Sequence, residues 1–585
     1  MRAYIKYIIC IAALESLPLG GRLVGAQTLS QNTISTIAKS DPLIITGAVG
    51  TQNTYYHSSL GSGYRSPWAN SLYANLNVSV YGISMPFAFY YSNNNSSFSF
   101  PHFSFHIDPT YKNWRGHFGR SNMGMSSYLM NMSFNGIGLE YNSSKLRFGA
   151  FYGELRNAIN DDPSDPSARP PQYRRLGWGF KAGVGSGRNF IDLYLLRAYD
   201  QLNSVAPQWQ QRINPQDNVA IALKGGLGLT KWLSLRGNLA WSAFSSDKRA
   251  ERVHSDQLDR WDKVFEARYT SLMRIAGDIS ANLTLKNFNT SIFYRMVQPD
   301  YTTLGIYYTS NNYQSLGINA STTLLNRVAL NVNFSGQEDN ITRSQLYTTR
   351  GFVYSASASA PIIDNLQVAV GYNGYRQLQS DGKAHVNDST RVNRIMHSLY
   401  VTPTYTLDGE RMAHTVSLTA NYTQNKDLNR FATGVSDVKT MALGLSHAME
   451  VKAWEMSFTT SLSHQQSDGY QTRYTSDVLS FSTGRSFLKE KNLSTSATVS
   501  LCYNDIRDQQ RNLSLGIDLS AGYTLAKVHQ FSFSAGFNKY SDTNISADRT
   551  SMGTTEVTAS LGYNYTFTLL HLKRKGKVNS EGKSE

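Results

Sequence analysis

The chain has 585 residues, a formal net charge of +15, 41% hydrophobic residues and only 17% charged ones. Past residue 27 no run approaches the 18 or more apolar residues of a spanning helix, which excludes a helical membrane protein. Lys and Arg are scattered rather than gathered on one patch, which argues against a nucleic-acid partner.

The N-terminus reads as an export signal over residues 1–26. Arg2 and Lys6 supply a basic start, Tyr7–Leu14 an apolar core, and Val24-Gly25-Ala26 a small-residue cleavage site before Gln27. Cys10 falls inside the signal, so the mature chain keeps only Cys502, which precludes an intramolecular disulfide or a cysteine metal site. Residues 27–42 form a short periplasmic arm, too short for the folded plug of an energised importer.

From Leu43 to Leu570 one pattern recurs: an alternating apolar and polar run, a turn, and another such run. In Thr555–Leu570 the residues Val557, Ala559, Leu561, Tyr563, Tyr565, Phe567 and Leu569 share one face, and polar residues fill the other. Tight connections are expected near Gly185–Arg188, Thr230–Lys231, Lys286–Asn289, Asn326, Pro361–Asn365, Asp408–Arg411, Met449–Val451, Lys489–Asn492 and Leu525–Val528. Longer ones are expected at Asn157–Gln172, Asp200–Asp217, Ser245–Ala267, Gly336–Leu346, Arg376–Arg391, Gln424–Asp437 and Tyr540–Arg549, with room for a short helix in Ser245–Ala267. The fold class is all-β: a closed transmembrane antiparallel barrel over residues 43–570, of about 24 strands (roughly 22–26), with both termini periplasmic. A 12% aromatic content suits interfacial girdles. A propeller of four-stranded blades fits less well, because each repeat of about 40 residues holds two long runs and no Trp-Asp recurs at fixed spacing. Residues 571–585 form a basic periplasmic tail. Asn94–Asn131, rich in aromatics and turn formers, is placed to fold inward as a constriction.

Two segments carry a family resemblance. Asp108–Ile159, which opens DPTYKNWRGHFG and continues through GIGLEYNSSKLRFGAFYGELRNAI, resembles uncharacterised outer-membrane β-barrel proteins of the Bacteroidota. So does Tyr294–Ser321, YRMVQPDYTTLGIYYTSNNYQSLGINAS. The resemblance implies an outer-membrane location and carries no activity, substrate or binding residue.

Seven cations lie on the polar faces of predicted strands: Arg147, Arg175, Lys181, Lys224, Arg236, Arg274 and Arg295. A Lys or Arg facing lipid at mid-membrane costs about 2–4 kcal/mol, so these side chains should face the lumen. The acids best placed to oppose them are Asp192, Asp278, Glu455 and Asp518. An excess of cations would favour anions; the alternative is an internal network of ion pairs that fills the barrel. Arg147 and Arg175, on strands flanking Asn157–Gln172, are the leading pair for a constriction. Cys502 is expected to face inward as a small filler.

Enzyme motifs are absent: there is no Gly-x-Ser-x-Gly and no His-Glu-x-x-His. The nearest approach to a metal site is His102, His106, Asp108 and His117, whose spacing along a strand is too long for one ion unless the chain turns. No cofactor is expected. The reading is an outer-membrane passive channel or transporter for small polar solutes, anionic ones among them. The alternative is a structural or interaction subunit of an envelope complex for secretion, assembly or surface attachment. Outer-membrane lipid is the expected surrounding.

Overall fold

The computed structural model describes residues 41–60, 67–81, 83–93, 103–161, 169–254, 264–432, 434–488, 490–507, 509–544 and 553–572. The expected signal and nearly all of the expected arm, the chain beyond residue 572, and His102 with the first part of Asn94–Asn131 lie outside the described residues.

Strands run from Leu43–Ser58 to Thr554–Leu572, each antiparallel to its neighbour in sequence, and the last pairs with the first. The closing ladder joins Ser58 to Glu556 at one end and Leu43 to Leu572 at the other, with one irregularity at Ile45/Thr46. Two short segments, Phe103–Ile107 and Thr110–Tyr111, share one place in the wall. Both pair with Ile83–Ser92 on one side and with Trp114–Ser121 on the other. The barrel therefore has 26 strand positions, at the upper end of the expected range. Among the described residues no helix is long and apolar enough to cross a membrane. A short helix, Pro207–Gln210, lies in the connection before Ser245–Ala267; the middle of Ser245–Ala267, where a short helix is expected, lies outside the described residues.

The alternation sets the two faces. One ladder row runs Phe481, Val499, Ile517, Phe537 and Val557 across neighbouring strands. Large apolar residues on this face stand open, including Ile137, Ile279, Ile292, Leu316, Leu462, Leu513 and Phe533. Water would not tolerate so continuous a belt, whereas lipid requires it. Cross-strand rings cluster on this face close to the strand ends: Trp114 with Tyr141 and Phe148, His414 with His447, and His529 with Tyr563 and Tyr565. Such rings suit an interface, with an apolar body and a polar edge.

Connections at the end holding the termini are short, as at Gly187–Arg188 and Ala526–Val528; the turn expected at Met449–Val451 falls instead at Lys452–Glu455. Those at the opposite end are mostly longer, but Tyr470-Gln471 is tight there too. Leu325, Asn326, Ala526 and Lys527 take positive φ, the left-handed conformation that tight hairpins demand.

Candidate functional site: the lumen

Two long-end connections turn inward instead of outward. Residues 122–133 follow the strand Trp114–Ser121, and residues 298–312 follow Phe288–Val297. They meet inside the barrel at a parallel bridge between Met130 and Gly305. Tyr301 Oη donates to the Tyr128 carbonyl (2.8 Å), and Thr303 Oγ1 to that of Leu129 (2.8 Å). The wall holds them as well. Tyr128 Oη donates to Asp278 Oδ1 (2.7 Å), Ser242 Oγ to the Thr302 carbonyl (2.6 Å), and Arg274 Nε to the Pro299 carbonyl (2.9 Å).

The inward fold fits because the wall beneath it is made of small residues. Ala198, Ala220, Ala222, Ala240 and Ala276 are fully buried under Leu129, Met130, Tyr301 and Leu304, a hydrophobic core inside the barrel. Gly305 lies so close to the Leu129 carbonyl that an added Cβ would stand 2.4 Å from it. Among the described residues of Asn94–Asn131, the expected constriction is realised in the last ones: the described part up to Ser121 forms wall strands, and 298–312 completes the fold.

All seven predicted cations lie on the inner face, in register with inward neighbours, and most are engaged by neighbouring groups. Arg147 pairs with Asp192 (2.7 Å), Arg175 with Asp200 (2.8 Å) and Lys181 with Glu140 (2.5 Å). Arg274 is spent on the inward fold, and Arg295 stands opposite Asp278. Lys224 and Arg236 remain exposed, with no ion-pair partner among the described residues. They occupy adjacent strands: Lys224 is opposite Asn238, and Arg236 is opposite Gly226. Of the acids expected to oppose these cations, Asp192, Asp278 and Asp518 sit on inner-face strand positions, whereas Glu455 lies in a turn and pairs with Lys491. Cys502 is opposite Ser514 on the inner face, as expected.

Arg147 and Arg175 do not form one constriction. Arg147 is opposite Gly183, and Arg175 lies at the far end of that same strand. Eight residues separate the two levels, about 26 Å at roughly 3.3 Å per residue. Sharing an inner face does not imply sharing a height.

Two of the ion pairs skip a strand, and glycine makes this possible. Glu140, Gly149 and Lys181 form one ladder row; Arg147, Gly183 and Asp192 form another. A Cβ on Gly183 would stand 1.8 Å from Asp192 Oδ1, and one on Gly149 3.2 Å from both Glu140 Cγ and Lys181 Cε. The missing side chains are the space through which the charges meet. Asp192 leans toward Arg147, which leaves Lys224, its neighbour on the other side, without it.

Around Glu140 the network continues. His117 Nδ1 is 2.8 Å from Asp108 Oδ1 and 2.9 Å from Ser121 Oγ, and its Nε2 is 3.5 Å from Glu140 Oε2. Arg115 also binds Asp108. Asp108 and His117 of the expected histidine cluster therefore do meet, with Glu140 beside them; His106 lies on the neighbouring strand Phe103–Ile107, and His102 lies outside the described residues. Among the described residues no three His, Cys, Asp or Glu are disposed to hold a metal ion. Ser121, His117 and Asp108 are the residue types of a hydrolytic triad, but serine and aspartate share the same ring nitrogen. A nucleophile needs its serine on one nitrogen and the acid on the other. His117 and Ser121 are also 0% exposed, so no substrate reaches them. The cluster holds the wall together where the strand breaks at Asp108-Pro109.

No protein-family model and no curated protein matches the chain. Solved structures with some similarity are barrels of the outer membrane. The translocation pore of the P pilus usher PapC gives a TM-score of 0.35 at 10% identity, covering 90% of this chain and 100% of that one. OccK9 (OpdG) of Pseudomonas aeruginosa gives 0.32 at 8%, covering 89% and 98%. OccAB2 of Acinetobacter baumannii gives 0.29 at 9%, covering 64% and 96%. Similarity at this level assigns the chain no activity.

Proposed function

We propose that the chain is a passive outer-membrane channel for small polar solutes, with the termini and short turns on the periplasmic side and the long loops outside. The observation that carries this reading is the partial filling of a very wide barrel. The buried cluster inside the lumen draws on residues 123–304, against the wall of one side. Beyond it, the inner faces of the strands from Tyr313 to Leu572 carry Ser, Thr, Asn and Gln. Barrels of 16–18 strands already leave an aqueous channel, so 26 positions with one lined side leave a passage. Lys224 and Arg236, exposed beside the inward fold, give that passage a modest anion preference.

Conductance of the purified chain in planar bilayers tests this. Steps in KCl with anions favoured over cations are expected; a closed membrane at every voltage overturns the reading. In that case the structural or interaction subunit gains, since the same internal core would then serve to stiffen a barrel that others dock on.

A further inference from the structure

The inner wall repeats one device: a large inward side chain lies over a glycine on the neighbouring strand. Tyr73 covers Gly50, Phe190 covers Gly226, and Tyr400 covers Gly371, each so closely that an added Cβ would stand 2.2–2.5 Å from the ring. The strand-skipping ion pairs fill Gly149 and Gly183 in the same way. Gly351 is different. Its nearest neighbour is the Tyr375 ring, at 3.5 Å from where a Cβ would be, and a cavity of about 330 Å³ remains above it.

The register defines what surrounds that opening. Gln337, Gly351 and Gln377 form one ladder row, the same arrangement that carries an ion pair at Gly183. Here the flanking groups are two neutral amides, and neither has a side-chain hydrogen bond among the described residues. One row toward the strand middles lies Ser335, opposite Val353, with Tyr375 beyond it. One row toward the long-loop end is Asp339, whose Oδ1 already accepts from the Thr349 amide (2.6 Å). The site sits beside the base of the inward fold, since Asp339 is opposite Tyr313.

We infer that this glycine-centred depression binds a neutral saccharide, naming the solute class of the channel proposed above and resting on that reading for the route by which it arrives. Each free amide offers both donors and an acceptor, matching hydroxyls that need both. Tyr375 offers a flat apolar surface with a polar tip, suited to the C–H face of a sugar ring. A concave site with a few placed polar groups is the ordinary form of a small-molecule site. No cation lines it, and the single carboxylate disfavours an anion.

The test is calorimetric titration of the full-length chain, folded in detergent, with maltohexaose, xylohexaose and chitohexaose. At least one is expected to bind. Gly351→Leu, which fills the opening from a backbone that tolerates a side chain, and Tyr375→Ala should each weaken binding tenfold or more. Gly444→Leu, elsewhere on the inner wall, should leave it unchanged. Should Tyr375→Ala fail to fold, the double variant Gln337→Ala/Gln377→Ala makes the same test with side chains that make no hydrogen bond among the described residues. Absence of binding by all three saccharides, or binding unaltered in the pocket variants, overturns the site. Conductance without binding would sink the site and spare the channel; binding without conductance would do the reverse.

Discussion

Arg147 and Asp192 are two strands apart and still share a 2.7 Å ion pair, because Gly183 between them has no side chain to stand in the way. Both are partly buried, with 24% and 12% of their side chains exposed. Gly183→Val should therefore act as though it deleted the pair. The expected loss is roughly 1.5–3 kcal/mol, the usual worth of a hydrogen bond to a charged group. Unfolding of the barrel, followed by its heat-modifiable migration on gels, would read this. A Gly183→Val barrel as stable as the parent would mean that the pair contributes nothing.

The freed neighbour gives the second prediction. With Asp192 drawn to Arg147, Lys224 and Arg236 are the two of the seven predicted cations left to act on a solute. Lys224→Gln/Arg236→Gln should lower the permeability ratio of anions over cations, measured as a reversal potential across a salt gradient. Arg147→Gln/Arg175→Gln should change stability more than selectivity. A selectivity shift confined to the second double variant would refute this assignment.

Much of this was readable from the residues, and the line where legibility stops has a physical cause. Period-two alternation in Leu513, Leu515, Ile517 and Leu519 identifies the lipid face, and the cost of a cation in lipid sends all seven of Arg147, Arg175, Lys181, Lys224, Arg236, Arg274 and Arg295 inward. Those are properties of one strand at a time. Whether Arg147 meets Arg175 or Asp192 depends on register across three strands, which alternation does not encode. The inward turn of 122–133 and 298–312 depends on a still longer relation. Its trace in the sequence is the small inward set Ala220, Ala222, Ala240 and Ala276, a signal that becomes readable only once the inner face is known.

The lipid face admits a direct contrast. Ile517 is in the apolar row between Val499 and Phe537, whereas Ser514, on the same strand, is opposite Cys502 on the inner face. Ile517→Arg should cost about 2–4 kcal/mol if it lies near mid-membrane. Ser514→Arg should cost far less. Equal yields of folded barrel from the two variants in lipid would mean that the faces are inverted, since a one-residue slip exchanges them.

A pH dependence is expected at the rim. Arg249 binds both oxygens of Asp247 at 3.0 Å and also reaches Asn214 Oδ1 (2.7 Å), tying residues 246–254 to the preceding connection. Partial burial pushes the Asp247 carboxyl up, but the hydrogen bonds and charge of Arg249 outweigh it and hold the group below its ordinary 3.8. A depressed carboxyl contributes stability above its unfolded value and loses it as pH falls through the folded one. Proteolysis within residues 246–254 by an acid-active protease should thus rise below about pH 3.8. Asp247→Asn should be susceptible at every pH, and a parent loop equally resistant at pH 2.5 and pH 5 would contradict the tie.

The inward fold supplies the last prediction, because it distinguishes a fixed lining from a movable gate. Leu129 and Tyr301 are 0% exposed, and the Tyr128 carbonyl, Asp278 and Ser242 all hold the two segments in place. Opening such a core would expose several large side chains at about 1.5–3 kcal/mol each, more than solute binding alone supplies. Conductance should accordingly be steady, with few closures. Gly305→Val should dislodge the fold, since its first added atom would stand 2.4 Å from the Leu129 carbonyl and 2.6 Å from Leu196 Cδ2. The variant should conduct more and flicker, as freed segments move in the lumen. Tyr128→Phe, losing only the bond to Asp278, should shift both in the same direction by less. A parent channel that gates readily, or a Gly305→Val channel indistinguishable from it, would show that these segments do not line the route.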